Sequence, residues 1–255
     1  MQESRRKTRE LKRPVSWYIT WIVIDLVAIA IIIGFILSLP IWRLKNIEVR
    51  GNDFVPAEKI VSIAKIPAGE NIFMVDLDEA ESRFSDIAQI KETRIQRKLP
   101  ATIIIKVQER KPFAIAVIGG VPALVDEGGY IIAKQNLGSS IYKLQIAQLP
   151  VIRGINRKTV EGGRRIDPAD AIFMKDTLTL LSNFLDPSTI QIELMNKEDI
   201  IIYVEDILKV KIGEPKDMEN KIRTMQALLD SIKGKWNRVA YIDVRVPDSP
   251  VIKFK

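Results

Sequence analysis

The feature that most constrains this chain is an apolar run from Trp17 to Leu39, broken by a single ionisable residue, Asp25. As an α-helix the run extends about 35 Å against a hydrocarbon core of about 30 Å, so it is long enough to cross a bilayer once. Trp17, Tyr18 and Trp21 stand at one end and Trp42 just past the other, where amphipathic rings settle among lipid headgroups. Pro40 then stops the helix. Arg5, Arg6, Lys7, Arg9, Lys12 and Arg13 precede the run, whereas only Arg43, Lys45 and Arg50 come after it at comparable distance. That bias predicts a cytoplasmic N-terminus, with everything from Ile41 onward extracytoplasmic. A cleaved signal peptide is the competing reading. The run is longer than an ordinary signal core, however, and Leu37-Ser38-Leu39-Pro40 is a poor small-residue cleavage site, so an uncleaved anchor is expected. Asp25 admits two readings, since a carboxylate that deep costs about 2.5–3.5 kcal/mol. It makes a polar contact with a partner helix, or it is one acid tolerated in a very apolar run.

The region beyond the anchor is limited by its residue inventory. The chain has no cysteine and no histidine, so thiolate nucleophiles, disulfides, imidazole bases and the commonest zinc ligands are unavailable. Missing cysteine does not fix the redox compartment, because disulfides are optional once a core is adequate. The net charge of +7 raises the question of nucleic acid, but residues 1–16 already hold an excess of four positive charges. The basic run Arg94, Arg97, Lys98 lacks interleaved aromatic residues and any nucleic-acid motif, so no nucleic-acid partner is expected. Asp76, Asp78, Glu79 and Glu81 lack the glycine and spacing of a calcium loop, and read as a helix cap with a solvated face. No phosphate-binding loop, nucleophile elbow or internal repeat is present, and the glycine pairs at 119–120, 128–129 and 162–163 read as turns. No cofactor, metal or small-molecule substrate is expected.

From Leu44 to Pro112 the pattern reads strand, helix, helix, strand, strand. Ile47 and Val49 alternate with polar neighbours before the Gly51-Asn52 turn; Pro56 to Ala64 reads as a short helix. Asp76 and Glu79 form a capping box predicting a helix over Leu77 to Phe84. Ile90 to Arg97 and Ile103 to Val107 read as paired strands, with Ile103, Ile105 and Val107 on one face. Beyond Phe113, strands alternate with two longer helices. Phe113–Ile118 and Tyr130–Ala133 read as strands around turn-rich segments, with Asp126-Glu127-Gly128-Gly129 as a connection. Asp167-Pro168 opens a helix carrying Ala171, Met174, Leu178, Leu181 and Leu185. Ile200–Val204 and Leu208–Ile212 read as a strand pair. A second amphipathic helix carries Met218, Ile222, Met225, Leu229 and Ile232. Near the C-terminus Ala240, Ile242, Val244 and Val246 alternate with Tyr241, Asp243 and Arg245, and a last short run puts Ile252 and Phe254 on one side.

Several motifs together resemble the bacterial FtsQ/DivIB family. Ile47-Glu48-Val49-Arg50-Gly51-Asn52, Gly69-Glu70-Asn71-Ile72-Phe73, Arg97-Lys98-Leu99-Pro100-Ala101-Thr102 and Val107-Gln108-Glu109-Arg110-Lys111-Pro112 are similar to the family's POTRA domain. Leu124 to Gly129, Leu149 to Gly154, Val210 to Gly213 with Lys221, and Tyr241-Ile242-Asp243-Val244-Arg245 resemble its β domain. The implied architecture is α+β: a cytoplasmic basic tail (1–16), one transmembrane helix (17–39), a β-α-α-β-β POTRA domain (42–111) and a mixed extracytoplasmic β domain with two amphipathic helices (112–255). The cytoplasmic tail is short for the family, and the last strand lacks the trailing segment of many relatives. The resemblance implies a non-enzymatic scaffold at the septum that holds FtsB/DivIC-like and FtsL-like bitopic proteins and helps control septal peptidoglycan synthesis. It also implies strand addition at the C-terminal strands, on positions matching Tyr241, Arg245, Val246, Val251, Ile252 and Phe254.

Other readings account for less of the chain. A POTRA-type chaperone or assembly factor for envelope proteins would usually continue into a barrel of many alternating strands, and this chain has an anchor helix instead. A carboxylate hydrolase would need Asp126, Glu127 and Asp167 to converge, yet each has a turn or cap explanation. For the last strand, an uncovered edge is a template for another chain, with Arg245 available to a partner carboxylate. Alternatively Ile252 and Phe254 pack on the core and Lys253 and Lys255 blunt the edge.

Overall fold

A computed structural model describes residues 15–134, 143–196 and 199–255. The basic residues Arg5 to Arg13 lie outside them. The apolar run forms one helix, α1 (Val15–Ser38), and its Trp17–Ser38 part is long and apolar enough to cross a membrane, with none of it buried in the protein. The fold is α+β beyond it. Among the described residues its two larger apolar cores lie one in each structural unit.

The first unit contains β1 (Asn46–Arg50), α2 (Ala57–Ala64), α3 (Leu77–Ser82), β2 (Ile90–Lys98) and β3 (Thr102–Glu109). β3 is central, parallel to β1 and antiparallel to β2. Its alternation puts Ile103, Ile105 and Val107 beneath the helices, against Ile60, Ala64, Ile72, Ala80 and Phe84. The Asp76 carboxylate accepts from Glu79 N–H, as the capping box requires, but α3 stops at Ser82 and Phe84 is held in a tighter turn. Gly51 is needed where it stands: its φ is +81°, and a Cβ there would meet the Val107 carbonyl oxygen at 2.3 Å.

The second unit is built on β4 (Ala114–Ile118), β5 (Val121–Val125), β6 (Ile131–Lys134), β7 (Val151–Ile155), β10 (Ile190–Asn196), β11 (Asp199–Val204), β12 (Leu208–Gly213), β13 (Val239–Asp243) and β14 (Val251–Phe254). They form one mixed sheet in the order β14-β13-β12-β11-β10-β7-β4-β5-β6. A two-stranded ribbon, β8 (Val160–Glu161) with β9 (Arg165–Ile166), forms a small sheet of its own beside the β6 margin, where Ile131 N–H donates to Arg164. Helices α5 (Pro168–Leu181) and α6 (Met218–Ser231) cover one face, burying Met174, Leu178, Leu181, Ile222, Met225 and Leu229 against the strands. On the other face a small cluster of Leu124 and Ile132 is packed by Ile146 of the short helix α4 (Lys143–Ile146) and by Phe54 from the first unit. Of the glycines in the 128–129 connection, Gly129 alone takes a left-handed φ, +77°.

Glu109, the last residue of β3, is buried and accepts the main-chain N–H groups of Asp53, Phe54 and Val55 at 3.2, 2.8 and 2.8 Å. It therefore fixes the loop that carries Phe54 to the second unit. Glu109→Gln keeps the shape but loses the charge and swaps an acceptor for a donor, so the loss expected is about 1–3 kcal/mol. Chemical denaturation of the detergent-solubilised chain checks this, and an unchanged midpoint would refute it.

Candidate partner-binding site

β14 ends the nine-stranded sheet, and among the described residues no strand pairs with its outer side. Its register against β13 pairs Tyr241 with Lys253, Ile242 with Ile252 and Asp243 with Val251. Two hydrogen bonds orient the main chain. Lys255 N–H donates inward to the Arg238 carbonyl at 2.9 Å, and Val244 N–H donates to Lys211 in β12 at 3.0 Å. Because main-chain groups alternate sides along a strand, Val251 and Lys253 turn theirs toward β13, while Ile252 and Phe254 turn theirs outward. The outer edge is thus a short row of unsatisfied N–H and C=O groups.

The side chains divide by face. Ile252 sits opposite buried Ile242 and is half-buried against the main core, whereas Phe254, Val251 and Val246 are exposed. Sequence alternation put Val246 on the face of Ile242 and Val244; the structure turns it out. The Asp243 carboxylate accepts the Arg245 N–H at 3.1 Å, a local turn that ends β13, and Ser249 N–H then closes on the Val246 carbonyl. Further back, a bulge between Val239 and Tyr241 resets the alternation, so Val239 is the fully buried residue there. Of the pair that the alternative reading packs on the core, Ile252 is half-buried there while Phe254 stays exposed.

On the face away from α5 and α6, Tyr241 is half-buried with the Lys211 ammonium 4.1 Å and the Lys253 ammonium 5.7 Å from its ring centre. Arg245, expected to await an external carboxylate, is already held by Asp243 through Nε and Nη2 contacts of 3.0 and 2.7 Å. Gly213 makes room for it, since a Cβ there would press on Arg245 Cγ at 2.9 Å. Gly213, Lys211 and Asp243 also lie against the candidate residues Tyr241 and Arg245; periodicity alone did not single them out, although all lie within family-like segments. A shallow depression of about 320 Å³ farther along this face is lined by Arg153, Glu193 and Tyr203. There Tyr203 donates to Glu193 at 3.1 Å, and burial, then that bond, pushes the phenol up.

Asp25 lies on the surface of α1, far in sequence from this edge. The acidic residues considered for chemistry are dispersed. Asp126 meets Arg110 at 2.7 Å, Glu127 meets Lys175 at 2.8 Å, and Asp167 caps α5. Among the described residues no group of acidic side chains is arranged to hold a metal ion.

With this geometry in hand, comparison with known proteins is decisive. Residues 42–110 match the family model for the FtsQ-type POTRA domain, and residues 115–245 match that for the C-terminal part of the cell division protein FtsQ/DivIB. The chain belongs to the FtsQ/DivIB family of cell division proteins. Among FtsQ/DivIB relatives, it is 27% identical to the cell division protein DivIB of Clostridium botulinum (strain Hall), over 97% of this chain and 93% of the relative. It is 24% identical to the cell division protein FtsQ of Syntrophotalea carbinolica, over 83% and 74% respectively. Over a shorter stretch, 36% of the chain and 35% of the relative, it is 37% identical to FtsQ of Rickettsia bellii. The FtsQ/DivIB match ends at residue 245, before β14.

The Arg245 guanidinium holds the Asp243 carboxyl below its ordinary value. A carboxylate with a lowered folded-state pKa stabilises above its unfolded pKa, and that contribution is lost as pH falls through the folded value. Arg245→Ala should therefore cost up to about 1 kcal/mol at neutral pH, since Arg245 is exposed, and progressively less as pH drops through the acidic carboxylate range. Denaturation midpoints of both proteins across that range check it; a pH-independent gap would refute it.

Proposed function

We propose that this FtsQ/DivIB-family chain is a non-catalytic scaffold of the division machinery, which holds FtsB/DivIC-like and FtsL-like bitopic partners by strand addition on β14 and so helps control septal peptidoglycan synthesis. The observation that carries this reading is the outward row of main-chain groups at Ile252 and Phe254. An incoming strand would gain ladder hydrogen bonds there, and its alternate side chains would read Ile252 and Phe254 on one face and Val251 and Lys253 on the other. Tyr241, Arg245 and Val246 flank that strip. The non-catalytic part draws on a chain without histidine or cysteine and on carboxylates tied up singly by structural partners. The domain reading, POTRA 42–111 and β domain 112–255 after an anchor at 17–39, is supported by the extent of the two family matches.

Ile252→Pro removes one outward donor without touching the ladder to β13, so thermal unfolding should stay near that of the parent. Affinity for the FtsB/DivIC-like partner should fall by about tenfold or more, the cost of an orphaned acceptor in the partner strand. A folded variant that binds as tightly as the parent would sink the strand-addition reading.

The proposed orientation puts the N-terminus in the cytoplasm and the β domain outside. Because the chain has no cysteine of its own, Ser4→Cys and Asp248→Cys report each side cleanly. In intact spheroplasts a membrane-impermeant maleimide should label position 248 and spare position 4, and the reverse pattern would overturn the orientation.

A further inference from the structure

Beyond the span, exposed large apolar side chains gather in two places, with Ile172 and Ile207 standing apart. Val246, Val251 and Phe254 mark the β14 edge. The other group, Ile41, Phe73, Met74 and Leu99, lies where α1 meets the POTRA domain.

Three distant stretches of chain supply this second patch, and the topology explains their meeting. β3 runs parallel to β1, so the β2–β3 turn bearing Leu99 returns to the start of β1; Lys45 and Asn46 N–H both donate to Ala101 there, at 2.9 and 3.2 Å. The loop before α3, which carries Phe73 and Met74, is tied to the same place by Leu44 N–H to Glu70 at 2.8 Å and Ile72 N–H to Trp42 at 2.8 Å. Arg97 clamps it from the other side, donating to the Ile72 and Val75 carbonyls at 2.7 and 2.6 Å.

The same loop is fastened to the end of the membrane helix. Asn71 Nδ2 donates to the Leu37 carbonyl at 2.6 Å, and Trp42 Nε1 donates at 2.7 Å to the Ile36 carbonyl, which also accepts the Leu39 N–H at 3.3 Å, so both side chains bind carbonyls of the last turn of α1. The Trp42 and Phe73 rings meet edge to face at 5.2 Å. At about 1.5 Å per residue, Trp17 to Leu37 nearly spans a hydrocarbon core, so groups bonded to Leu37 stand at headgroup depth. Arg43 and Lys45 are exposed beside them, suited to lipid phosphates.

We propose that Ile41, Phe73, Met74 and Leu99 form a second, interfacial membrane contact, inserting into the leaflet through which α1 emerges and fixing the tilt of the POTRA domain on the bilayer. The occupant is a phospholipid surface. The patch is continuous with the membrane span, pinned to it by hydrogen bonds and rimmed by cations, as an interfacial anchor requires. This proposal rests on α1 being a membrane anchor, and its test separates the two.

Single cysteines at Met74→Cys, Leu99→Cys, Lys91→Cys and Ile31→Cys, each labelled with bimane in the full-length chain, would be reconstituted into vesicles of brominated phosphatidylcholine and phosphatidylglycerol. Positions 74, 99 and 91 are exposed, so labelling should leave the fold intact. Labels at 31, 74 and 99 should lose much of their emission relative to unbrominated vesicles, while 91, on the far end of β2, should not. If 31 is quenched while 74 and 99 behave like 91, the anchor stands and the interfacial contact is wrong, as it would be were a second copy or another protein seated on the patch. If 31 is not quenched, the anchor reading fails and the proposal with it.

Discussion

A β-sheet satisfies its main chain sideways, strand against strand, and only its two outermost strands are left with a row of unpaired groups. In this protein the two ends of the nine-stranded sheet are treated differently. At the β6 end, Ile131 N–H donates to Arg164 at 2.8 Å, Tyr130 bridges to Arg165, and the Lys134 ammonium reaches the Gly163 carbonyl. The β8–β9 ribbon thus closes that margin. At the β14 end no described element performs the same service, and the helices that bury the sheet lie on its face rather than beyond its edge. The functional reading depends on this asymmetry, not on any reactive side chain.

An edge transmits little unless the unit bearing it is held firmly to the rest. β3 passes into β4 through Arg110 to Phe113 alone, and Arg110 stands at the junction. Its guanidinium meets Asp126 and covers the Tyr130 ring at 3.9 Å, with Arg165 at 4.7 Å from the same ring. Taking two charges out of water is costly, and it is tolerated where the remaining lone pairs are used. Asp126 meets that condition, because its other oxygen accepts the Gly128 and Tyr130 N–H groups at 3.0 and 2.8 Å. Together with the Glu109-held loop that delivers Phe54 to the second unit, the junction links the POTRA domain to the β domain through both charge and packing.

Local patterns made the POTRA elements legible: Ile103, Ile105 and Val107 share one face of β3 and the second helix carries its own cap, although a bulge between Ile90 and Glu92 shifts the pattern in β2. The larger sheet was less so, for reasons visible in particular residues. β5 contains Pro122, which reads as a breaker; yet β6 pairs only from Ala123 onward, so on that side no ladder bond is forfeited at Pro122. β7 is flanked on both sides by parallel partners distant in sequence, and Gly154 interrupts its pattern because a Cβ there would strike the Leu194 carbonyl oxygen at 2.0 Å. β10 does carry a period-two signal, the alternation of Ile190, Ile192 and Leu194 with Gln191 and Glu193. At the candidate site the identities on β14 were readable, but the Asp243–Arg245 turn that swings Val246 outward depends on a side-chain to main-chain bond that periodicity cannot register.

An exposed edge also risks pairing with itself, and the residues on β14 bear on that. Val251, Lys253 and Lys255 alternate onto one face, and in an antiparallel pair of two such edges lysines would lie opposite or diagonal to lysines, where like charges repel. The same lysines favour an incoming strand with carboxylates at alternate positions, while Ile252 and Phe254 on the other face favour apolar residues at the intervening ones. The cations that blunt the edge against its own kind therefore need not close it to every partner. Under the proposed strand addition they would restrict it to strands of complementary charge and matching period, so that selectivity and resistance to self-assembly would arise from one set of side chains.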